Sequence, residues 1–85
     1  MQRPLEQQIA ELVQRWAEQG LGEDGVEKLH ERLLALIEPP LFRAAMAAHG
    51  GSCAPAARSL GLHRTTLRKK LDRYGLLSST DDEGA

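Results

Sequence analysis

The sequence predicts a small all-α protein of four helices that ends in a helix-turn-helix. Apolar residues recur at the three- and four-residue spacing of helices, no stretch alternates in the two-residue pattern of a strand, and glycine and proline separate the helical stretches. Six of the 11 Lys and Arg residues fall within residues 58–76, which contain one acidic residue, whereas the remainder of the chain is acidic. The basic segment therefore coincides with the predicted last helix.

The first helix is predicted to follow Pro4, a residue suited to a first helical turn. Its apolar residues lie at i, i+4, i+7, i+8 and i+11, which places them in one stripe. These residues are Leu5, Ile9, Leu12, Val13 and Trp16. The three glycines within residues 19–25 are expected to end the helix, and Asp24 is a candidate N-cap for the next one.

The second helix is predicted to begin at about Val26 and to carry a second apolar stripe that faces the protein interior. The stripe consists of Val26, Leu29, Leu33, Leu36 and Ile37. Because Pro39 and Pro40 lack amide donors, we expect this helix to stop at Glu38 and a new one to begin with a proline in its first turn. A single helix that is kinked at the prolines is the alternative. Glycines at residues 50–51 close this part of the chain.

The third and fourth helices are predicted at about 53–60 and 64–74, joined by a tight turn at Gly61. Ser52 is a candidate N-cap for the third helix, and the small Ala57 suits a close crossing of the two helices. We expect a small apolar core between these two helices. Its members are Leu60, Leu62, Leu67, Leu71 and Tyr74.

The outer face of the fourth helix carries the hydrogen-bond donors that recognition of the DNA major groove requires. Arg and Lys contact guanine edges, Thr contacts a base or a thymine methyl group, and other cations contact phosphates. Since recognition helices read bases mainly through their N-terminal residues, Arg64, Thr66 and Arg68 are predicted to read sequence. The remaining residues of this face are Thr65, Lys69, Lys70 and Arg73, of which the last three are predicted to set affinity. Double-stranded DNA is therefore the predicted partner.

These segments resemble the Fis family. Residues 56–58, 61–71 and 74–75 are similar to the C-terminal motif of that family, and residues 38–41 and 49–51 are similar to the stretch that leads into its helix-turn-helix. The resemblance extends from about Leu5 to Leu76. The family includes nucleoid proteins as well as the DNA-binding domains that close NtrC-type activators.

The resemblance implies a homodimer in which the first two helices of each copy interlock, and a second helix that is kinked rather than ended at proline. It also implies recognition helices that lie too close for straight DNA, so that the duplex bends. With one Trp, one Phe and one Tyr, the chain has little else to build a core from, which also favours a dimer. The predicted interface is the two apolar stripes: Leu5, Ile9, Leu12, Val13, Trp16, Val26, Leu29, Leu33, Leu36 and Ile37.

The resemblance further divides the chain and refines the DNA-binding set. Residues 1–77 are expected to form one Fis-type domain, with dimerisation helices at about 5–48 and the helix-turn-helix at 52–76, while 78–85 form a disordered acidic tail. The family often has Asn at the start of the recognition helix, where this chain has a histidine that also forms hydrogen bonds. The complete predicted DNA-binding set is Ser52, His63, Arg64, Thr65, Thr66, Arg68, Lys69, Lys70 and Arg73.

No catalytic, metal or cofactor site is predicted, and no small-molecule substrate. The best material for an enzyme is Cys53 with His30, His49 and His63, but these residues lack zinc-site spacing, and the glycines of 50–51 separate His49 from Cys53. A single cysteine, no signal-like start and no apolar stretch of about 20 residues predict a cytoplasmic protein without a membrane role. The resemblance to the Fis family implies association with the nucleoid.

Taken together, the sequence predicts a sequence-specific, DNA-bending bacterial transcriptional regulator. The net charge of −1 and the acidic tail favour the DNA-binding domain of an NtrC-type activator, with a free-standing Fis-like nucleoid protein as the alternative. A further alternative is a helical protein-interaction module that has lost DNA binding and uses Trp16 as an anchor.

Overall fold

The computed structural model describes residues 3–22 and 27–77, and within these ranges the chain is helical without any strand. The four helices are α1 (Leu5–Leu21), α2 (Leu29–Ala48), α3 (Cys53–Leu60) and α4 (Arg64–Arg73). The all-α class and the order of the helices are thus confirmed. The predictions for Asp24, Val26 and residues 78–85 lie outside the described residues.

The helix α1 starts where predicted and ends at Leu21, with Gly22 as its C-cap, inside the glycine-containing run that was expected to end it. Pro4 is its N-cap residue rather than a first-turn residue, and the Pro4 carbonyl accepts a hydrogen bond from the backbone N–H of Gln8 at 3.1 Å. Gly20 does not end the helix, because a glycine inside a helix costs only about 1 kcal/mol relative to alanine. A Cβ at Gly20 would also lie 3.0 Å from Cδ1 of Leu29, so the small residue suits the approach of that side chain.

The chain divides into two compact units, Met1–Leu33 and Leu34–Ala85. In the described part of the first unit, no residue of α1 is buried. Leu5, Ile9 and Leu12 are 72%, 57% and 57% exposed, although they form the predicted apolar stripe. Val13 and Trp16, the other two members of the stripe, are half-buried, so the stripe is open mainly at its N-terminal half.

The helix α2 runs without interruption through Pro39 and Pro40. The prediction that a helix stops at Glu38 is wrong, and the alternative of one helix through the prolines is correct. Each proline lacks an amide N–H, so the carbonyls four residues earlier lose their helical donor. The burial of Phe42, which immediately follows this weak point, offsets that loss by packing the second half of α2 into the core.

The core of the second unit combines residues from α2, α3 and α4. Phe42 is its largest member and is 1% exposed, so α2 supplies the aromatic centre on which the other two helices pack. The buried residues are Phe42, Cys53, Ala56, Ala57, Leu67 and Leu71. The predicted members Leu60, Leu62 and Tyr74 are partly buried against this cluster.

No helix in the described ranges is long and apolar enough to cross a membrane.

Candidate nucleic-acid interface

The turn between α3 and α4 depends on Gly61. Its backbone is left-handed, with φ 76° and ψ 27°, a conformation that residues with a Cβ rarely adopt. The N–H of Gly61 donates to the Arg58 carbonyl at 3.2 Å, and the N–H of Leu62 donates to the Ala57 carbonyl at 2.9 Å. These two bonds form a Schellman motif, which satisfies carbonyls at the end of α3. The motif fixes the direction in which the chain leaves α3 and enters α4.

The start of α4 is capped by His63. Its ring Nδ1 accepts a hydrogen bond from the backbone N–H of Thr65 at 3.2 Å, and its backbone carbonyl accepts one from Leu67 at 3.0 Å. An imidazole nitrogen accepts a hydrogen bond only when it is unprotonated, so Nδ1 carries no proton in this arrangement. The structure gives His63 a capping role, and its predicted contact with DNA stays a prediction.

The helix α4 has one apolar and one polar face. Leu67 and Leu71 are fully buried, and Ala57 of α3, which is also buried, lets the two helices approach closely. The opposite face presents most of the predicted DNA-binding residues. The exposed members are Arg64, Thr65, Thr66, Arg68, Lys69 and Arg73. The acidic Asp72 is exposed on the same helix.

The Nζ of Lys70 is paired with a carboxylate. It donates to the two oxygens of Glu38 on α2 at 3.3 and 3.2 Å, and the two side chains are only 26% and 13% exposed. The hydroxyl of Tyr74 donates to Oε1 of Glu38 at 2.6 Å. The Tyr74 ring lies 6.2 Å from the ring of Phe42, at an interplanar angle of 51°. We name Glu38, Lys70 and Tyr74 the Glu38 cluster.

The Glu38 cluster changes the acidity of its two acids in opposite directions. Burial raises the pKa of the Glu38 carboxyl, but hydrogen bonds from Tyr74 and Lys70 and the charges of Lys70 and Arg73 outweigh burial, so the pKa lies below its ordinary 4.5. The hydrogen bond to Glu38, together with burial, raises the pKa of Tyr74 above its ordinary 10.0. Both shifts favour a carboxylate paired with a neutral phenol at neutral pH.

The start of α3 holds the remaining predicted contact. Ser52 is exposed and occupies the N-cap position with an extended backbone, but within the described chain its side chain forms no capping hydrogen bond.

A hydrogen bond joins the turn after α2 to α3, because Nε2 of His49 lies 2.8 Å from the hydroxyl of Ser59. An open cleft between α3 and α4 is lined by Ala54, Ala57, Arg58, Leu62, His63 and Arg64.

Sequence reasoning did not predict the pairing of Glu38 with Lys70 and Tyr74, and it did not include Arg58, which lines the cleft, in the DNA-binding set. For Glu38 a signal was present, because Glu38, Phe42 and Ala45 lie at i, i+4 and i+7 and so share one face of a continuous helix. The expected helix end at Glu38 concealed that spacing.

Within the described ranges, no group of three or more His, Cys, Asp or Glu residues is placed to hold a metal ion.

The second unit is thus a helix-turn-helix whose second helix exposes a row of cations and hydroxyls, the arrangement typical of proteins that read duplex DNA. The family described as Bacterial regulatory protein, Fis family, matches residues 33–74. The DNA-binding protein Fis of Psychromonas ingrahamii is 40% identical over 75 residues, which cover 88% of this chain and 75% of that protein. The Fis proteins of Proteus mirabilis and of Escherichia coli O1:K1 are each 37% identical over 75 residues, covering 88% of this chain and 76% of theirs. The chain belongs to the Fis family.

Proposed function

We propose that this protein binds double-stranded DNA as a homodimer and acts as a sequence-specific, DNA-bending transcriptional regulator of the Fis type. The observation that carries the proposal is the division of α4, which buries Leu67 and Leu71 and exposes cations and hydroxyls on its other side. A helix of this kind fits the major groove, with its N-terminal residues nearest the base edges. Membership of the Fis family supports the same assignment.

The exposed residues divide into those that would contact bases and those that would contact phosphates. Arg64, Thr66 and Arg68 occupy the N-terminal half of α4 and would contact bases, with Thr65 beside them. Lys69 and Arg73 lie further along the helix and would contact phosphates. The remaining phosphate contacts come from Ser52 and His63, which stand at the N-caps of α3 and α4.

The partner in the proposed dimer is a second copy of this chain. In the first unit, Leu5, Ile9 and Leu12 leave an apolar stripe open along α1. In the second unit, Leu36 and Ile37 of α2 are 57% and 40% exposed. Exposed apolar side chains in a stripe are usually covered by an interface. The remaining members of the proposed interface are Val13, Trp16, Val26, Leu29 and Leu33.

Within the family, a Fis-like nucleoid protein is better supported than a domain of an NtrC-type activator. The three relatives described above match over most of this chain and carry the name DNA-binding protein Fis. We therefore favour the nucleoid of the bacterial cytoplasm as the site of action. Bending follows if the two recognition helices of the dimer are closer together than successive major grooves of straight DNA.

Fluorescence anisotropy with salt titration tests the proposal. A duplex of random sequence and a selected AT-centred palindrome are each titrated with protein, and sedimentation of the same sample gives the oligomeric state. We expect a dimer whose affinity falls steeply with salt and which prefers the selected duplex. Gel mobility of duplexes with the site at the centre or at an end measures the bend.

Two variants and a control sharpen this test. Arg64→Ala and Lys69→Ala are expected to remain dimeric and to weaken DNA binding. Arg15→Ala, at an exposed residue of α1, is the matched loss of a cation on another helix and should bind as the unaltered protein does. If a dimer forms but binds no duplex at low salt, the proposal fails and the interaction-module alternative takes its place.

A further inference from the structure

The Glu38 cluster joins two helices that have different tasks in the proposed function. Glu38 lies in the same turn of α2 as Leu36 and Ile37, which belong to the proposed dimer interface. Lys70 and Tyr74 lie at the C-terminal end of the recognition helix and just beyond it. Three hydrogen bonds of 2.6 to 3.3 Å connect the carboxylate to these two side chains. The cluster is therefore a polar link between α2 and α4.

The pairing of Lys70 also argues against a DNA contact for this residue. If its Nζ moved to a phosphate, the partly buried Glu38 carboxylate would keep the hydrogen bond from Tyr74 but lose its ion-pair partner, and removing the counter-ion of a charge that is shielded from water is costly. Lys69, the preceding residue, is exposed and forms no ion pair with a carboxylate within the described ranges 3–22 and 27–77. We infer that Lys70 is a positioning residue, which holds the recognition helix on α2 through Glu38 and makes no contact with phosphate.

This inference rests on the proposed function and specifies how the recognition helix is oriented. Base contacts depend on the exact placement of the helix in the groove, whereas phosphate contacts are largely independent of sequence. Loosening the link between α2 and α4 therefore lowers affinity for a preferred site more than affinity for random DNA. A phosphate-binding lysine has the opposite signature, because its removal weakens both complexes alike.

The experiment compares Lys70→Met with Lys69→Met by anisotropy on the selected and random duplexes over a range of salt. Each lost phosphate-binding cation reduces the magnitude of the slope of log affinity against log salt by about 0.9, so a substitution that is present in both copies of the dimer reduces it by about 1.8. We expect that reduction for Lys69→Met, with equal weakening on both duplexes. For Lys70→Met we expect an unchanged slope and a decrease in affinity of about tenfold that is confined to the selected duplex.

Two further variants separate positioning from electrostatics. Glu38→Met removes a negative charge, so a purely electrostatic role predicts tighter binding to both duplexes, whereas positioning predicts weaker binding to the selected duplex. Tyr74→Phe removes one hydroxyl and no charge, and it preserves the ring that lies beside Phe42. We expect Tyr74→Phe to lower the preference for the selected duplex at an unchanged salt slope. Circular dichroism and sedimentation confirm that each variant is folded and dimeric.

The outcomes distinguish this inference from the function on which it rests. A salt slope whose magnitude falls by about 1.8 in Lys70→Met, or tighter binding by Glu38→Met, overturns the positioning role while DNA binding itself stands. Failure of the unaltered protein to bind either duplex overturns the proposed function instead. If Lys70→Met does not fold, Tyr74→Phe decides: an unchanged preference for the selected duplex refutes the inference.

Discussion

Phe42→Ala tests the packing that supports the recognition helix. The Phe42 side chain is 1% exposed and supplies the aromatic centre of the core formed with α3 and α4. A buried phenylalanine removes roughly 150–250 Å² from water, which at about 25 cal/mol per Å² corresponds to about 4–6 kcal/mol. Measured Phe→Ala substitutions in cores cost about 3–5 kcal/mol. An 85-residue protein is stable by only about 4–13 kcal/mol, so the loss is a large share of the total.

Urea unfolding followed by circular dichroism at a fixed protein concentration measures this loss, since the stability of a dimer depends on concentration. The control is Arg43→Ala, a change at the next residue of the same helix, where the side chain is exposed. We expect a change within about 0.5 kcal/mol for the control. A loss below about 1 kcal/mol for Phe42→Ala would show that α2 does not contribute to the core as the structure indicates.

Two other predictions concern the turn and the Glu38 cluster. Gly61→Ala should lower the free energy of unfolding by about 1–2 kcal/mol, because a Cβ at Gly61 meets no described atom within 4 Å and only the left-handed backbone is penalised. Gly61→Asn should lower the free energy of unfolding by less, because asparagine adopts the left-handed conformation more readily. Equal losses for the two variants in urea unfolding would contradict this reason. Because the pKa of Glu38 is lowered on folding, its contribution to stability is complete above the ordinary pKa of 4.5 and is lost as pH falls through the lower folded value. Urea unfolding between about pH 3 and pH 7 should therefore show a flatter acid limb for Glu38→Met, and an unchanged limb would exclude this role.

The part of the fold that could be predicted from the sequence is the part set by local chemistry. The bounds of α3 and the start of α4 follow from Gly61 and from the short Ala-rich and Arg-rich stretches on either side. The buried positions of Leu67 and Leu71 follow from helical spacing alone. The basic face of α4 follows from the same spacing, because the residues not needed for the core must point outward.

The features that were missed depend on contacts between distant residues. Helix propensity predicts a break at Pro39 and Pro40, but the burial of Phe42 outweighs it, and no local pattern measures that burial. Lys70 is equivalent to Lys69 in a sequence pattern and differs from it only because Glu38, 32 residues earlier, lies opposite it. Tertiary partners of this kind are visible only in three dimensions.

The position of Phe42 has a consequence for protein engineering. A fragment cut at residue 52 would contain both helices of the helix-turn-helix but would leave Leu67 and Leu71 without the aromatic ring on which they pack. The smallest portable DNA-reading module therefore has to begin near Leu34, where the second compact unit begins. A chimaera that grafts this specificity onto another scaffold should carry the second half of α2 with it.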